Sequence, residues 1–572
     1  MSGSNRTNID RSNNQMRRRS LSPAIWLLAF ASVSLVARAD QQHTASGTKG
    51  VVVSGRTAAT DAGIRMLEQG GNAADAGAAT LLALSVTQVG AFCIGGEVPV
   101  LIYDAAKKEV KVLSGQGAAP LDPKAIDWYM ANGIPGSDVR SAAVPAALDA
   151  IVTLLRLYGT KSFEETVQPT LAILDAGGPT SYTDTSDGRR IETGRHWQAD
   201  LAATFRKLAE AERKAAGSRD AGLQAVSNRF YRGDIADALE RWYVEQGGFL
   251  RKSDLAAHKT RLEDPVHVSY RGYTVYKCGP WTQGPYLLET LLLLEGFDLK
   301  KMGFLSADYI HTVVEAMKLG LADRDEYYGD PRFVEVPMKG LLSEEYTRIR
   351  RPLLDTGRAS LEVRPGDPEH LRALKAPMRT PPTQGGTTTM CVVDRWGNMI
   401  AATPSGLGSS AGVAGDTGII HGSRLVSLNT WKGHPDCIQP GKRPRVTLSP
   451  TLVLKNEKPV LAISVAGGDL QDQAAVQLIL DYVDFGMLPE QAVAAPRFAT
   501  THHTGSFGQE KPKLGTLQVS VRVDGTVQEE LKGRGHVLTT TRGGIGGVNM
   551  LHFDPESAVA SGAGPAAAKA SQ

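Results

Sequence analysis

The sequence predicts a mixed α+β protein with a helix-rich first half and a sheet-rich second half. Apolar residues recur at helical spacing in segments of the first half such as GNAADAGAATLLALSV and residues 140–180. After residue 386 they instead form short alternating runs, which are typical of strands. Between the halves, residues 356–386 contain five prolines, many charges and few large apolar residues, and this composition predicts a mobile linker.

The elements of the first half follow from local signals. A short strand at KGVVVSG precedes two helices, and the second helix begins near Asn72, a residue type that caps helices well. The stretch VPVLIYDAAKKEVKVLSG alternates like a hairpin, and the two helical runs of residues 140–180 are separated at Gly159. A strand–turn–strand unit at DPVHVSYRGYTVYKCG leads to helices at GPYLLETLLLLEGF and ADYIHTVVEAMKLGLADRDEYYGD.

The second half is predicted to contain a series of strands and one helix. The strands are expected near residues 387–394, 399–404, 418–428, 451–455, 460–465 and 547–553. The helix is expected at QAAVQLILDYVD, residues 473–484. The tail AVASGAGPAAAKASQ is low in complexity, so we expect it to be frayed.

Composition argues against two broad classes of protein. The chain has 572 residues and a formal net charge of +3, part of which comes from Arg17–Arg19, so no basic stripe suggests nucleic-acid binding. A mean hydropathy of −0.19 and the lack of a second long apolar run argue against a multispan membrane protein. The hydrophobic content of 42% is ordinary for a globular chain.

The N-terminus has the pattern of an export signal. Arg17–Arg19 form a basic region, Pro23–Val36 is an apolar run too short to span a bilayer comfortably, and Ala37–Ala39 is a small-x-small cleavage site. We expect residues 1–39 to be a tail and signal peptide and the protein to be periplasmic or secreted, with no stable membrane span after signal removal. An uncleaved anchor is the alternative interpretation, and Met16 is an alternative start of translation.

The spacing of cysteine and histidine predicts no metal site, and we expect no cofactor. The four cysteines are scattered and form no CxxC motif, and both free buried thiols and one or two disulfides remain open. His502 and His503 are adjacent, so on a strand their side chains would point to opposite faces.

Three consecutive threonines follow two glycines in the stretch TQGGTTTMCVVDRWGN, residues 383–398. One interpretation is a strand that begins with β-branched residues, which strands favour. The other is that one threonine becomes a nucleophile after its own peptide bond has been cut.

Several stretches, taken together and in order, resemble the γ-glutamyltransferase (glutathione hydrolase) family of N-terminal-nucleophile hydrolases. They are LEQGGNAADA, YRGDIADAL, GGFLRKSDLAAHK, YRGYTVY, SADYIHTVVEAMKLGLADRDEYYGDPRF, GKRPRVTLSPTLVL and APRF, and they extend from about Gly50 nearly to the C-terminus. The resemblance implies a four-layer αββα sandwich. It also implies a precursor that cuts itself into a large subunit, residues 40–386, and a small subunit, residues 387–572, which then pair.

The resemblance implies that the new N-terminal threonine is the nucleophile. Counting back from Val392-Val393-Asp394 and the turn at Gly397-Asn398 assigns this role to Thr387, with Thr388 and Thr389 as alternatives, and cleavage after Gly386. A threonine hydroxyl needs an adjacent base, and the freed α-amino group, whose reference pKa is about 7.7–8.0, provides one. A glycine at position 386 tolerates the backbone strain that favours an N→O acyl shift.

Two further features match the family. The motif AGGD aligns with its Pro-Gly-Gly loop, so Gly467 and Gly468 would form the oxyanion hole with their backbone N–H groups, and a plain turn is the alternative. The family's second hydroxyl, which orients the nucleophile, falls at Ser405.

The residues that recognise a γ-glutamyl head group depart from the family. The family's α-carboxylate-binding arginine is replaced by Gln116 or Gly115, and its serine pair by Val446-Thr447. The departures on the ammonium side are Leu407 for asparagine, Ser427 for aspartate and Arg424 for glutamine. A desolvated carboxylate that pairs with an ammonium contributes several kcal/mol, so its loss disfavours glutathione as donor.

Three functions follow from this pattern. Arg424 and Arg445 suggest an exported amidohydrolase or acyltransferase whose donor has an anionic acyl group and no α-ammonium, unless both arginines face solvent. The alternatives are a conventional γ-glutamyl hydrolase or transpeptidase acting on glutathione, and an unprocessed secreted protein that only binds a ligand. In each case the expected partner is a small molecule and not a nucleic acid.

Overall fold

The computed structural model describes residues 43–136, 138–178, 197–374, 386–406 and 411–571. The predicted signal peptide, Leu407 and residues 375–385 of the predicted linker lie outside the described residues.

Helices and strands occur mostly in runs along the described chain. The helices are α1 (Thr57–Glu68), α2 (Ala73–Thr87), α3 (Pro123–Asn132), α4 (Ala147–Tyr158), α5 (Phe163–Asp175), α6 (Trp197–Lys214), α7 (Arg219–Arg232), α8 (Asp234–Glu245), α9 (Lys252–Ala257), α10 (Pro285–Leu294), α11 (Leu299–Met302), α12 (Ala307–Tyr327), α13 (Met338–Leu341), α14 (Glu344–Arg350), α15 (Leu470–Val483), α16 (Pro489–Ala494) and α17 (Gly525–Gly533). The strands are β1 (His43–Gly47), β2 (Gly50–Ser54), β3 (Val98–Asp104), β4 (Glu109–Gly115), β5 (Leu262–Glu263), β6 (Val266–Tyr270), β7 (Tyr273–Lys277), β8 (Gly366–Asp367), β9 (Arg372–Ala373), β10 (Met390–Asp394), β11 (Met399–Ala402), β12 (Gly412–Ala414), β13 (Ile419–His421), β14 (Thr451–Lys455), β15 (Lys458–Ala466), β16 (Phe498–Ala499), β17 (Thr516–Ser520), β18 (Val537–Thr541), β19 (Gly547–Asp554), β20 (Val559–Gly564) and β21 (Ala567–Ala570). Helices α3–α9 lie between β4 and β5, and α10–α14 lie between β7 and β8.

Two seven-stranded sheets form the centre of the molecule. The strand order is β1-β20-β19-β15-β14-β7-β6 in one sheet and β21-β2-β10-β11-β3-β4-β5 in the other. Both sheets therefore combine strands from before and after Gly386. The division into a helix-rich half and a sheet-rich half holds for helix content but not for the sheets.

The cores show that the two sheets face each other and that helices cover both outer faces. Val51 and Val53 of β2 pack in a core shared with Leu452 and Leu551 of the other sheet. Val52, which points the other way, packs with α1, α2 and α4–α8. Apolar residues on the outer face of the other sheet pack against α10, α12, α14 and α15. This is the four-layer αββα sandwich, and the predicted fold is confirmed.

Helix α2 begins as the sequence predicts and leads toward the threonines. Asn72 accepts hydrogen bonds from the backbone N–H groups of Ala74 and Asp75, while Asp75 accepts from Asn72 N at 2.9 Å, a reciprocal capping box. The helix ends at Thr87, so Gln88 follows directly at its C-terminus.

Three local predictions are corrected. The C-terminal tail is not frayed, because β20 pairs with β1 and β19 and β21 pairs with β2. Residues 418–428 form the short strand β13 and a separate 3-10 turn at Arg424–Ser427. In the described part of the predicted mobile linker, residues 356–374, β8 and β9 pair, and Gly366 N donates to the buried carboxylate of Asp323 at 2.8 Å.

Two chain-wide features bear on the remaining predictions. Within the described ranges, no helix combines the length and apolar character that crossing a membrane requires. All four cysteines are buried free thiols, so of the two open alternatives the disulfides are excluded in this structure.

Candidate active site

The chain enters the central strand β10 through Gly386 and the three threonines. Strand β10 lies between β2 and β11, so both of its backbone edges are paired. The pairing continues into the threonines, because Thr388 N donates to Pro404 O at 3.0 Å and Gly55 N donates to Thr389 O at 3.1 Å. The threonines are thus fixed against two neighbouring segments of the same sheet.

The three threonine side chains have different environments. Thr388 Oγ1 donates to Gln88 Oε1 at 2.6 Å, and Thr389 Oγ1 accepts from Asn549 Nδ2 at 2.7 Å. Both residues are buried, whereas Thr387 is half-buried. The hydroxyls of Thr388 and Thr389 are therefore committed to structural contacts, which favours Thr387 among the three alternatives.

Ser405 lies against the peptide bond that precedes Thr387. Its Oγ donates to the carbonyl oxygen of Gly386 at 2.5 Å. Its backbone is held by a reciprocal pair of hydrogen bonds with Glu97, at 2.9 and 3.0 Å. The structure thus brings together two residues that the sequence places 19 positions apart.

A buried ion pair lies behind Ser405. Arg424 Nε donates to Glu97 Oε1 at 2.7 Å, and one of its terminal amino groups donates to the same oxygen and to Ser405 Oγ, the latter at 2.7 Å. Arg424 is 1% exposed and Glu97 is 3% exposed. Burial raises the pKa of Glu97, and the charge of Arg424 and the hydroxyl of Ser405 only partly offset this effect. Ser427 lies at the far side of the guanidinium, with a long 3.5 Å contact.

Gly467 and Gly468 form the turn between β15 and α15. Their φ angles are +134° and +60°, values that L-residues with a side chain rarely adopt. A Cβ atom at Gly468 would lie 2.8 Å from the ring of Phe507, so the close approach also requires glycine. The turn brings the N-terminus of α15 toward Phe507, whose ring lies 6.0 Å from the guanidinium carbon of Arg424.

Asp469 fixes the position of this glycine turn. It accepts from Arg324 at 2.6 Å and from the backbone N and the Oγ of Ser506 at 3.0 and 2.5 Å. Burial alone would raise the pKa of Asp469, but the charges of Arg324 and His503 and the hydrogen bonds from Ser506 hold it well below its usual range. Asp469 is therefore an anionic anchor at ordinary pH.

A series of neighbouring side chains connects the glycine turn with the peptide bond before Thr387. The ring of Phe507 lies beside Gly468 and 6.0 Å from the guanidinium carbon of Arg424, Arg424 donates to Ser405, and Ser405 donates to the carbonyl of Gly386. The peptide bond before the candidate nucleophile, the second hydroxyl and the glycine turn are thus neighbours in the folded chain, although the sequence distributes them over 82 positions from Gly386 to Gly468.

The sequence of the chain matches a known enzyme family. The family described as Gamma-glutamyltranspeptidase matches residues 59–571. The chain belongs to the γ-glutamyltranspeptidase family. Its members are enzymes of the N-terminal-nucleophile hydrolase type, and the precursor is autocleaved in this family.

Relatives of this family include both hydrolases and acylases. The chain is 28% identical over 548 residues to the glutathione hydrolase proenzyme of Bacillus subtilis (strain 168), with 89% of each chain covered. The solved structure of LmbA2991HD is 33% identical with a TM-score of 0.80, covering 92% of this chain and 98% of that one. The cephalosporin acylase from Bacillus halodurans is 26% identical with a TM-score of 0.76, covering 91% and 95%.

Two further predicted substrate-binding residues, Arg445 and Thr447, are buried rather than solvent-facing. Arg445 is 6% exposed, donates to Ser506 Oγ at 3.1 Å and forms no ion pair with the residues that the structure describes. Burial and the nearby charge of Arg324 lower the pKa of Arg445, and Asp436 acts in the opposite direction. Thr447 Oγ1 accepts at 3.4 Å from Gln471, the second residue of α15.

Gln116 is buried in a different environment from the other predicted residues. Its Oε1 has no hydrogen-bond partner among the described residues, and its Nε2 donates to Gly117 O at 3.3 Å. It lines a cavity of about 120 Å³ together with His258, Arg261, Arg443 and other residues. The structure therefore does not bring Gln116 into contact with the other predicted site residues.

Sequence reasoning missed Glu97. It offered Arg424 as a cation for an acyl group, and the structure shows that the charge of Arg424 is compensated by Glu97. The signal that could have identified Glu97 is a single carboxylate within the apolar stretch CIGGEVPVLIY.

No metal centre is apparent at the threonines. Among the described residues, the one cluster of metal-ligating side chains is His311, Glu315 and His536, in the outer helical layer. The Glu315 carboxylate already accepts from Lys318 at 2.6 Å, and the His311 and His536 rings contact each other at 2.8 Å. Most ligand atoms of this cluster are therefore engaged in hydrogen bonds, and His536 Nδ1 has no partner among the described residues.

Proposed function

We propose that this chain is an exported, self-cleaving amidohydrolase or acyltransferase that uses Thr387 as nucleophile. The observation that carries the proposal is the 2.5 Å hydrogen bond from Ser405 Oγ to the carbonyl of Gly386, directly before a half-buried Thr387. A donor on that carbonyl polarises the bond that self-cleavage must break.

Self-cleavage begins with attack of Thr387 Oγ1 on the carbonyl carbon of Gly386. The new C–O bond forms, the C–N bond breaks, and the hydroxyl proton ends on the released amine. Water then hydrolyses the ester, which leaves a carboxylate on Gly386 and frees the hydroxyl of Thr387. The products are a large subunit, residues 40–386, and a small subunit, residues 387–572, which stay paired.

The mature site then acts on an external amide. The α-amino group of Thr387 takes the hydroxyl proton, because its reference pKa of about 7.7–8.0 suits a general base near neutral pH. Gly467 and Gly468 supply backbone N–H groups to the oxyanion, and Ser405 orients the nucleophile. Water or an acceptor amine then attacks the acyl-enzyme ester, takes the acyl group and frees the hydroxyl of Thr387.

The acyl donor in this proposal has an anionic acyl group and no α-ammonium. Ser427 offers no charge for an ammonium, and Arg424 is neutralised by Glu97. Arg445 is the buried cation that remains for an acyl carboxylate, and a charge-assisted hydrogen bond contributes about 1.5–3 kcal/mol. Ser427 and Thr447 would complete the acyl pocket as polar, uncharged groups, whereas Gln116 lies in a separate cavity.

Two measurements test the proposal. On a denaturing gel the purified protein should give two bands, one of about 20 kDa whose N-terminal residue is Thr387, and Thr387→Ala should give one. The mature enzyme should hydrolyse glutaryl-p-nitroanilide faster than γ-glutamyl-p-nitroanilide. A preference for the glutamyl compound would instead identify a conventional γ-glutamyl hydrolase, and an uncleaved wild type would leave only a ligand-binding protein.

A further inference from the structure

The Glu97–Arg424 pair has no role in the reaction as described so far, and its burial is energetically costly. Moving two charges from water into the protein interior costs several kcal/mol per ion, and their attraction recovers this only with good hydrogen-bond geometry. Here Glu97 and Arg424 are 3% and 1% exposed. A pair retained in such a place is a candidate for a specific function rather than for stability.

The hydrogen bonds of Arg424 show where that function lies. The guanidinium donates two hydrogen bonds to one oxygen of Glu97 and one hydrogen bond to Ser405 Oγ, at 2.7 Å. Because the guanidinium can only donate, Ser405 Oγ must act as its acceptor. The proton of Ser405 is then available for the carbonyl of Gly386, which lies 2.5 Å away.

We propose that the Glu97–Arg424 pair is a positioning element that polarises the Gly386–Thr387 bond through Ser405. This inference rests on the proposed self-cleavage. When Thr387 Oγ1 attacks, negative charge develops on the carbonyl oxygen of Gly386, and the hydroxyl of Ser405 donates to it. A cation that donates into the same hydroxyl makes it a stronger donor, because linked hydrogen bonds polarise one another.

Glu97 has two tasks in this arrangement. Its carboxylate compensates a guanidinium that would otherwise be an uncompensated buried charge, and it fixes the direction of the fork. Its backbone exchanges two hydrogen bonds with that of Ser405, so the carboxylate that holds Arg424 and the hydroxyl that Arg424 contacts are fixed relative to each other. Neither Glu97 nor Arg424 touches the reacting atoms, so both act through Ser405.

The test is a time course of self-cleavage of the full chain made by cell-free translation, followed on a denaturing gel. Loss of one oxyanion donor typically slows a reaction about 10²- to 10³-fold, so we expect Arg424→Gln to slow cleavage at least tenfold. Arg424→Lys, which keeps the charge but loses the fork, should lie between Arg424→Gln and wild type.

The double variant Glu97→Gln/Arg424→Gln separates this role from a structural one. It removes both buried charges together, so neither is left uncompensated in the interior as in a single variant. If the pair polarises the bond, the double variant should fold and still cleave at least tenfold more slowly than wild type. Cleavage of this variant at the wild-type rate would overturn the inference.

A matched control uses another buried ion pair. Glu315 is 1% exposed and pairs with Lys318 at 2.6 Å in α12. Glu315→Gln should cleave like wild type, and an equal slowing in this variant would also overturn the inference. The proposed function fails separately, since it requires only that wild type cleaves and Thr387→Ala does not.

Discussion

Arg324 donates to the carboxylate of Asp469 at 2.6 Å, and this contact anchors the turn of Gly467 and Gly468 from outside the reaction site. Arg324 is fully buried and also donates to Gln283 Oε1 at 3.0 Å and to Thr504 O at 2.8 Å. Gln283 in turn donates to Gly468 O at 3.3 Å. The position of the Gly467–Gly468 turn, the proposed oxyanion site, thus depends on a residue of α12, in the outer helical layer.

The first prediction concerns this anchor. Asp469→Asn should lower kcat about tenfold with little change in KM, because an oxyanion donor that moves acts mainly on the transition state. The measurement is steady-state kinetics of the mature enzyme. Since Asp469 lies next to the predicted oxyanion glycines, an unchanged kcat would argue against their assignment.

The same residue makes the stability of the protein depend on pH. Its folded pKa lies well below the value of about 3.9 expected in the unfolded chain, so its contribution to stability is complete above pH 4 and is lost as the pH falls below it. The difference in denaturation midpoint between wild type and Asp469→Asn should therefore be largest at pH 6 and shrink toward pH 3. A difference independent of pH would contradict this explanation.

The second prediction separates the three threonines. Thr387→Ala should abolish self-cleavage, whereas Thr388→Ala and Thr389→Ala should still cleave, because their hydroxyls bond Gln88 and Asn549 instead of the reacting carbonyl. The two latter variants should be less stable by about 1 kcal/mol, the usual net contribution of one hydrogen bond. A denaturing gel measures cleavage and thermal melting measures stability. Cleavage of the Thr387→Ala variant would show that another threonine is the nucleophile.

The third prediction concerns the acyl pocket. Arg445→Ala should raise KM for glutaryl-p-nitroanilide about 10- to 100-fold, which corresponds to one lost charge-assisted hydrogen bond. The internal control is acetyl-p-nitroanilide, which has no acyl carboxylate and should be affected little. An equal loss for both substrates would show that Arg445 supports the site without recognising the carboxylate.

The fourth prediction concerns the core side of α15. Burial raises the pKa of Asp481 to about 8, although Arg497 acts in the opposite direction. The folded protein therefore binds a proton that the unfolded chain releases near pH 3.9, and the free energy of unfolding falls as pH rises from about 4 to 8. Asp481→Asn removes this dependence, so it should melt at a higher temperature than wild type at pH 9 and at a similar one at pH 4. Asp416→Asn, at an exposed site, is the control and should follow wild type at both pH values.

The sequence was sufficient to predict those features that depend on residues adjacent in the chain. The glycine pair 467–468, the threonines after Gly386 and the cap at Asn72 each have a local signal, and the structure shows a turn at the glycines, a strand directly after the threonines and a capping box at Asn72. The pairing of Glu97 with Arg424 could not be found in this way, because the two residues lie 327 positions apart and neither indicates the other.

The misjudged elements have a common physical cause, which is tertiary pairing. Strands β20 and β21 are rich in alanine and glycine, residues that rarely form strands by themselves, and they exist because neighbouring strands offer open edges. The segment of residues 356–374 is polar, but Asp323 and Glu315 bind its backbone N–H groups at Gly366 and Ser360.

The mixed strand order of the two sheets sets the sequence of events in the life of the protein. Strands β2 and β3, from before Gly386, flank β10 and β11, from after it, and β21 completes the same sheet. The aligned carbonyl and hydroxyl exist only once these distant segments have assembled, so folding must precede the first chemical step. Subunits expressed from separate genes would each lack about half of the strands of both sheets. A cleaved molecule is therefore one whose chain had already reached its native topology.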